Sequence, residues 1–194
     1  MGEPAWAIAT LFPGQGDWSD EEYLAFSTER PLAELYDGAI EVLPMPTDGH
    51  QRMLDALFLL IAAYARSVEG RVRTAGIRVR IKPGVFRQPD IVYLGKSRRE
   101  LRGEEYWTGA DLVVEVVSGS ASDRVRDLVT KRRDYAEAGI PEYWIVDPQQ
   151  ETITVLQLEG GTYREHGVHA RGTTANSATL PGFGAPVSEV LDAD

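Results

Sequence analysis

The sequence has 194 residues, of which 43% are hydrophobic and 26% are charged, as in an ordinary soluble globular domain. The absence of cysteine excludes disulfide bonds and thiolate metal sites, and the net charge of −10 argues against a general nucleic-acid-binding protein. Residues 1–10 show no signal peptide and no stretch has the length of a membrane span, so we expect a cytoplasmic protein.

The charges are distributed unevenly along the chain. Residues 71–133 hold 15 of the 20 basic residues but 8 of the 30 acidic ones. Two interpretations stay open for this segment. It presents a local cationic face to an anionic ligand, or its charges lie on solvated faces by chance.

The first elements in chain order are a short helix and a hairpin. Ser19 is a natural N-cap, and Glu22 completes a capping box at the start of the helix. Residues 32–43 predict a hairpin that turns at Asp37-Gly38. Its acids, Glu34 and Glu41, either face solvent or contribute to a site.

A long helix follows from about residue 48 to 68, with Asp48 as the expected N-cap. Its apolar residues recur at helical spacing, which predicts the main core helix. His50 lies in the first turn. It is either an exposed polar residue or a side chain that points at a site formed with the hairpin.

The next two predicted strands carry basic and acidic side chains. Residues 77–82 alternate between apolar and basic positions, which predicts a half-buried strand with a cationic face formed by Arg78, Arg80 and Lys82. Residues 85–94 predict another strand. Pro89 cannot donate to a ladder, so we expect a bulge or an edge there, with Asp90 at the kink.

Residues 111–117 read as a strand buried on both faces, interrupted by one acid, after a surface loop over 95–110. Burying the carboxylate of Glu115 costs several kcal/mol unless a cation or a metal pairs with it. The alternative is an edge strand on which Glu115 faces water.

After a linker at residues 118–122, a helix is predicted from Ser122 or Asp123 to about residue 138. Lys131 falls on its core-facing stripe, three residues after Leu128. A lysine in that position either extends to solvent along the surface or serves a site.

These elements predict an α/β fold. A central mixed sheet is expected from strands near 77–94, 111–117 and 142–147, flanked by helices 48–68 and 122–138. The hairpin at 32–43 and strands over 152–165 extend it. The tail from Gly172 reads as a loop in which Leu180 and Phe183 dock, and we see no second domain.

Three side chains stand out as a possible catalytic group. If the strands of Asp90 and Glu115 are neighbours, their carboxylates converge, and the following helix delivers Lys131 to the same point. Two such carboxylates repel each other unless a cation lies between them. A hard cation such as Mg²⁺ (or Mn²⁺) suits two carboxylates, the Val116 carbonyl and waters. It makes water more acidic, and a nearby ammonium orients or deprotonates that water, which is the chemistry of phosphodiester hydrolysis.

Several stretches of sequence carry a family resemblance. They are residues 34–38, the segment that ends at His50, Pro89-Asp90, residues 111–118 and the long block 131–147. In this order they resemble the Uma-type restriction endonucleases, a DUF820-like branch of the PD-(D/E)XK nuclease superfamily. The match runs from about residue 18 to 183, and the block 131–147 is its most specific part.

The resemblance implies a restriction-endonuclease-like core within a single nuclease-like domain over residues 1–194. One position departs from the superfamily pattern, because the lysine expected two residues after the glutamate is Val117. In the Uma-type branch the lysine comes from the following helix, which matches Lys131. The resemblance also implies that Glu34 belongs to the site, and that Asp111, Asp127 and Tyr135 have supporting or structural roles.

We therefore expect an Mg²⁺-dependent DNA endonuclease. Asp90, Glu115 and Val116 would bind the metal, and Lys131 would assist the attacking water. The cationic face would contact phosphates. A homodimer is expected because cutting both strands usually takes two sites. One alternative is a catalytically silent DNA-binding or dimeric interaction module with the same fold, which the negative net charge favours. Another is hydrolysis of RNA or a nucleotide.

Overall fold

The computed structural model describes residues 14–30, 32–74, 76–118 and 121–194. The opening segment 1–10 and part of the predicted linker at 118–122 lie outside the described residues.

The described part of the chain contains five α-helices and thirteen strands. The helices are α1 (Asp20–Glu29), α2 (Asp48–Ser67), α3 (Ala121–Val125), α4 (Lys131–Glu137) and α5 (Val187–Leu191). The strands are β1 (Ala33–Tyr36), β2 (Ala39–Val42), β3 (Arg71–Thr74), β4 (Arg78–Lys82), β5 (Val85–Arg87), β6 (Ile91–Leu94), β7 (Tyr106–Trp107), β8 (Leu112–Val116), β9 (Glu142–Asp147), β10 (Thr152–Glu159), β11 (Thr162–Ala170), β12 (Thr174–Asn176) and β13 (Gly184–Pro186). A 3₁₀ turn covers Lys96–Leu101, and one π-helical turn, Arg126–Thr130, joins α3 to α4.

The strands form two main sheets and one small pair. The first sheet has the order β2-β1-β5-β4-β7 and the second has the order β11-β10-β9-β8-β6-β3, while β12 pairs with β13. The pairs β8–β9 and β4–β7 are parallel, and the other neighbours are antiparallel. The parallel pair β8–β9 needs a crossover connection, which the helical segment from α3 to α4 supplies.

The N-terminal elements follow the sequence prediction. The capping box of α1 is present, because Ser19 Oγ accepts from the backbone N–H of Glu22 at 3.2 Å and the Glu22 carboxylate accepts from that of Ser19 at 2.9 Å. The hairpin turns at Asp37 and Gly38, which both have positive φ (47° and 74°). Such φ values match the twist of the strands in a two-residue turn.

The prediction of one continuous strand over 85–94 is wrong, because this segment forms two strands, β5 and β6. β5 belongs to the first sheet and β6 to the second, so Pro89 marks neither a bulge nor an edge but the passage from one sheet to the other. Proline has no N–H to give to a ladder, and the N–H of Gln88 already donates to the side chain of Glu34 at 2.7 Å. Backbone pairing therefore stops here, and the single predicted sheet becomes two.

Three further expectations need correction. The N-cap of α2 is Thr47, not Asp48, and its side chain accepts from the His50 N–H at 3.3 Å. The predicted helix over 122–138 begins at Ala121 and is interrupted by the π-helical turn. The tail after Gly172 is not a loop, because it contains β12, β13 and α5, although Leu180 and Phe183 are buried as predicted.

The strand β8 lies inside the second sheet, between β9 and β6. Leu112, Val114 and Val116 pack in the core that α2 covers, and Val113 and Val117 pack in the core on the opposite face with Tyr135 of α4. By this alternation Glu115 points to the α4 face. The edge-strand alternative is therefore excluded, and Glu115 is only 2% exposed.

Candidate active site

Asp90 lies directly before β6, next to the strand that carries Glu115. β6 pairs with β8 through Ile91 and Val114. The Asp90 carboxylate accepts a hydrogen bond of 2.8 Å from the backbone N–H of Val116, the residue after Glu115. Both carboxylates line the same cavity, so the sequence-predicted carboxylates come together.

Lys131 reaches the same place from the helix. Its Nζ lies 2.9 Å from Glu115 Oε2, 3.5 Å from Asp127 Oδ1 and 3.8 Å from Glu34 Oε1. The side chain is buried, so it does not extend to solvent along the surface. It directly follows the π-helical turn, a feature frequent at functional sites.

The second oxygen of Glu115 is also engaged. Tyr135 donates its hydroxyl to Glu115 Oε1 at 2.5 Å. Burial raises the pKa of Glu115, the ammonium of Lys131 opposes that rise, and the carboxylates of Asp90 and Asp127 add to it. Glu115 therefore resides in a place where negative charge is in excess.

Glu34 is part of the same buried cluster. The pairing of Leu35 with Phe86 places Glu34 opposite Arg87 in the next register position, and Arg87 Nη1 donates to Glu34 Oε2 at 2.8 Å. The other oxygen of Glu34 accepts from the Gln88 N–H. Glu34 therefore does not face solvent. Of the two interpretations of the hairpin, the one in which this acid contributes to a site is correct for Glu34.

Arg87 connects three carboxylates through one buried guanidinium. It donates to Glu34, to Glu41 at 2.7 Å and to Asp134 at 2.8 and 2.9 Å. Although burial opposes ionisation of Glu34, Lys131 and Arg87 lower its pKa to about 2. The hairpin, β5 and α4 are thus joined by ion pairs behind the site.

The charge state of Lys131 follows from its neighbours. Burial by itself lowers the pKa of Lys131, but the carboxylates of Glu115, Glu34 and Asp127 raise it above its ordinary value. These carboxylates therefore favour the ammonium form of Lys131, which donates to them.

His50 faces Asp90 from the first turn of α2. Its Nε2 lies 3.4 Å from Asp90 Oδ1, and both side chains are mostly buried. Burial lowers the pKa of His50, but the contact with Asp90 outweighs this effect and leaves the pKa raised. His50 is accordingly a neighbour of the site, as one of the two sequence interpretations proposed.

A cavity of about 400 Å³ opens onto this cluster. Among the described residues that line it, four carry carboxylates, and two, Arg126 and Lys131, carry permanent positive charges. The ionisable lining residues are His50, Asp90, Glu115, Asp123, Arg126, Asp127 and Lys131. Carboxylates thus outnumber the fixed cations, as they would in a site that takes up a further cation.

Arg126 was not predicted to belong to the site, and Asp127 was expected only in a supporting or structural role. Asp127 is buried, and its Oδ1 has no hydrogen-bond partner within the described part of the chain; neither does the Nε of Arg126, 3.6 Å away. Asp127 precedes Lys131 by four residues, so helical spacing would have placed both on one face. No comparable signal indicated Arg126.

The donor set fits a hard divalent cation. The carboxylates of Asp90 and Glu115 and the carbonyl of Val116 are the oxygen ligands that Mg²⁺ prefers, and Asp127, whose Oδ1 lies 3.5 Å from Lys131 Nζ, adds negative charge nearby. No group of three or more His, Asp or Glu side chains able to hold a metal is found among the described residues.

A model of the Uma2 family, whose description reads "Putative restriction endonuclease", matches residues 20–188. The chain belongs to the Uma2 family. Its fold is similar to the crystal structure of "a putative nuclease belonging to DUF820" from Anabaena variabilis ATCC 29413, with a TM-score of 0.73 and 17% identity over 90% of this chain and 97% of that chain. The predicted α/β nuclease-like fold and the family resemblance are both confirmed. No curated protein matches the chain.

The cationic face of this Uma2 protein lies away from the cavity lining. Arg78 donates to the carbonyl of Glu105 at 3.1 Å, Arg80 pairs with Asp20 at 2.6 Å, and Lys82 pairs with Glu137 at 3.0 Å. Each side chain therefore has an acceptor within the chain. Contact of these residues with DNA stays a prediction.

No helix in the part of the Uma2 chain that the structure describes combines the length and apolar character of a membrane span.

Proposed function

We propose that this protein is an Mg²⁺- or Mn²⁺-dependent endonuclease that hydrolyses phosphodiester bonds in DNA. The proposal depends on one observation above all. Asp90 accepts from the backbone N–H of Val116, next to Glu115, and Lys131 lies 2.9 Å from Glu115 in a cavity lined by more carboxylates than fixed cations. Membership of a family described as restriction endonucleases supports the same chemistry.

The residues of the site have distinct proposed roles. Asp90, Glu115 and the Val116 carbonyl would hold the metal, which supplies Lewis-acid stabilisation and a more acidic water. Lys131, 2.9 Å from Glu115, orients or deprotonates the attacking water and stabilises the negative charge that develops on the phosphate.

Glu34 is proposed as a positioning residue. Its carboxylate lies 3.8 Å from Lys131 Nζ and is fixed by Arg87 and the Gln88 N–H. A fixed negative charge at this point keeps the ammonium group ionised and directed into the cluster.

The test is cleavage of plasmid and labelled oligonucleotides by wild type and Glu115→Gln, with Mg²⁺, Mn²⁺ or a chelator. Glu115→Gln keeps the shape of the side chain and removes its charge. Glu165→Gln, on an exposed position of β11, is the matched control. We expect cleavage by wild type and the control that depends on the metal, and loss of at least about 100-fold in Glu115→Gln. Equal rates in all three proteins would rule out this site.

A catalytically silent module is the second candidate, and one observation favours it. Both oxygens of Glu115 already have donors, Lys131 and Tyr135, so the cluster is satisfied as an internal ion network. This alternative predicts no heat of Mg²⁺ or Mn²⁺ binding in calorimetry and full function in Lys131→Ala. Metal binding that disappears in Glu115→Gln would exclude it.

A further inference from the structure

His50 lines the same cavity as the two proposed metal-binding carboxylates, Asp90 and Glu115. We infer that His50 is a positioning residue of this site, which fixes the Asp90 carboxylate in the orientation that takes up a divalent cation. His50 acts through Asp90 and is not itself a ligand. The inference rests on the proposed nuclease function and names a residue that sets its metal affinity.

Asp90 is held in place by few contacts. It lies between β5 and β6, in the passage from the first sheet to the second, and therefore outside both strands. Its Oδ2 accepts from the Val116 N–H at 2.8 Å. Among the described residues, His50 is the only side chain within ion-pair distance of Asp90, and its Nε2 lies 3.4 Å from Oδ1. His50 is therefore the side-chain contact that completes the placement of this carboxylate.

Glu115, in contrast, is held by two side chains. Lys131 Nζ lies 2.9 Å from its Oε2, and Tyr135 donates to its Oε1 at 2.5 Å. The position of Glu115 thus does not depend on His50. A substitution at His50 should consequently affect the Asp90 half of the site and leave the Glu115 half in place.

The helix α2 directs His50 into the cavity. His50 precedes Leu54 by four residues and Leu57 by seven, and both leucines are buried, so all three lie on the core side of the helix. The side chain of His50 is accordingly only 14% exposed. The N-cap Thr47 accepts from the His50 N–H at 3.3 Å, which fixes the first turn. A side chain on such a rigid element holds its partner more precisely than one on a loop.

The two contacts leave Asp90 able to bind a cation. Each carboxylate oxygen has two lone pairs, and the described residues supply one partner to each oxygen. Since Mg²⁺ prefers oxygen ligands, an imidazole at this place suits a donor to the carboxylate better than a ligand. Partners of this kind, which orient a ligating carboxylate, change metal affinity by about 10–100-fold when they are removed.

The experiment measures the Kd of Mn²⁺ by calorimetry on the metal-free protein without substrate. His50→Leu removes the ring nitrogens, and His50→Gln returns an N–H donor on a side chain long enough to reach Asp90. His166→Leu removes an exposed histidine of β11 and is the matched control. We expect Kd to rise about 10–100-fold in His50→Leu and to stay within about threefold of wild type in the other two variants. If His50→Leu does not fold, His50→Asn, whose amide is too short to reach Asp90, takes its place.

Plasmid cleavage separates positioning from direct catalysis. The Mn²⁺ concentration that gives half the maximal rate should rise in His50→Leu by the same factor as Kd. The kcat at saturating Mn²⁺ should stay within about threefold of wild type. A kcat more than about tenfold lower at saturating metal would mean that His50 contacts the reacting groups, which overturns the inference.

Electron paramagnetic resonance of bound Mn²⁺ separates positioning from ligation. A ligating imidazole produces a nitrogen hyperfine coupling, and we expect none in wild type. A coupling that is present in wild type and lost in His50→Gln would make His50 a ligand and overturn the inference.

The remaining outcomes keep this inference apart from the function on which it rests. Mn²⁺ binding that disappears in Glu115→Gln but is equally tight in wild type and His50→Leu overturns the role of His50 and leaves the nuclease proposal intact. Binding as weak in His50→Gln as in His50→Leu does the same, because a donor alone then does not position Asp90. If wild type binds no Mn²⁺, or binds it no more tightly than Glu115→Gln, the metal site itself falls and the inference falls with it.

Discussion

Lys131 is a buried cation whose three nearest partners are all carboxylates. Lys131→Met keeps the length of the side chain and removes its charge, so the developing charge on the phosphate loses its donor. We expect kcat to fall by about 10²–10³-fold on plasmid DNA. Lys96→Met removes a lysine from an exposed pair with Glu69 and should leave kcat unchanged. Steady-state kinetics of the two variants checks this, and a Lys131→Met enzyme of wild-type kcat would refute the role.

The lowered pKa of Glu34 makes stability depend on pH in one direction. Its folded pKa of about 2 lies below the usual 4.5. The ionised form therefore stabilises the fold above about pH 4.5, and this contribution, about 3 kcal/mol, is lost as the pH falls toward 2. Glu34→Gln has no such group to titrate.

Urea unfolding of both proteins at about pH 6 and about pH 3 measures the effect. Glu34→Gln should be less stable than wild type at the higher pH, and the difference should shrink at the lower pH. A difference of the same size at both values would mean that Glu34 is not ionised in the folded protein.

Single residues also mark the limit of prediction from sequence. The pattern of β8 identified Glu115 as anomalous and the helix stripe identified Lys131, because each breaks a local apolar period. The burial of Glu34 has no local signal. Its counter-ion, Arg87, lies on a strand far along the chain, and only the strand pairing brings the two together.

Among the secondary-structure elements, the π-helical turn directly before Lys131 sets the orientation of its side chain. This turn contains one more residue than an α-helical turn. Deleting the exposed Val129 should restore a regular α-helix and rotate Asp127 relative to Lys131 by about 100°. We expect activity to fall by at least about tenfold while the helical circular dichroism is kept. Val129→Ala, which leaves the turn intact, is the control, and equal activity of the two proteins would contradict this view.

Arg87 has a structural role. It joins the hairpin, β5 and α4 through ion pairs and does not contact the proposed reacting groups Asp90, Glu115 and Lys131. Arg87→Met would leave Glu34, Glu41 and Asp134 near one another without their shared cation. Removing one partner from a buried ion network costs about 3–5 kcal/mol. Arg171→Met breaks two exposed pairs and should cost less than about 1 kcal/mol. Denaturant unfolding should show this contrast, and equal losses would mean that the buried network adds nothing.

Elements with a strong local signal were predictable, and those held by distant contacts were not. The capping box of α1 and the Asp37-Gly38 hairpin each depend on residues close together in sequence. The tail after Gly172 lacks such a signal, because it is held by Glu142, whose carboxylate accepts from Ser177 Oγ at 2.9 Å and the Thr179 N–H at 2.7 Å. The division of the predicted 85–94 strand at Pro89 was also unpredictable, because it depends on which strands β5 and β6 pair with.

At the scale of the whole molecule, we expect metal binding to increase the free energy of unfolding. A cation that binds the folded state alone stabilises it by about 2.7 kcal/mol at a concentration of 100 times its Kd. We expect Mn²⁺ to raise the melting temperature of wild type, and to leave that of Glu115→Gln unchanged, in thermal scans without any substrate. Equal shifts in both proteins would place the metal elsewhere.

Fold class and family were readable from the whole sequence, since ordered motifs and alternating helices and strands persist over most of its length. The single domain and the homodimer stay predictions. The dimer was expected from the need to cut two strands.

The site draws Glu34, Glu115 and Lys131 from β1, β8 and α4, and Asp90 from the residue before β6. β8 has β9 as one of its neighbours, so a growing chain must pass Asp147 before these side chains can be held together. Fragments that end before β9 should therefore lack the proposed activity, because contacts so distant in sequence form late.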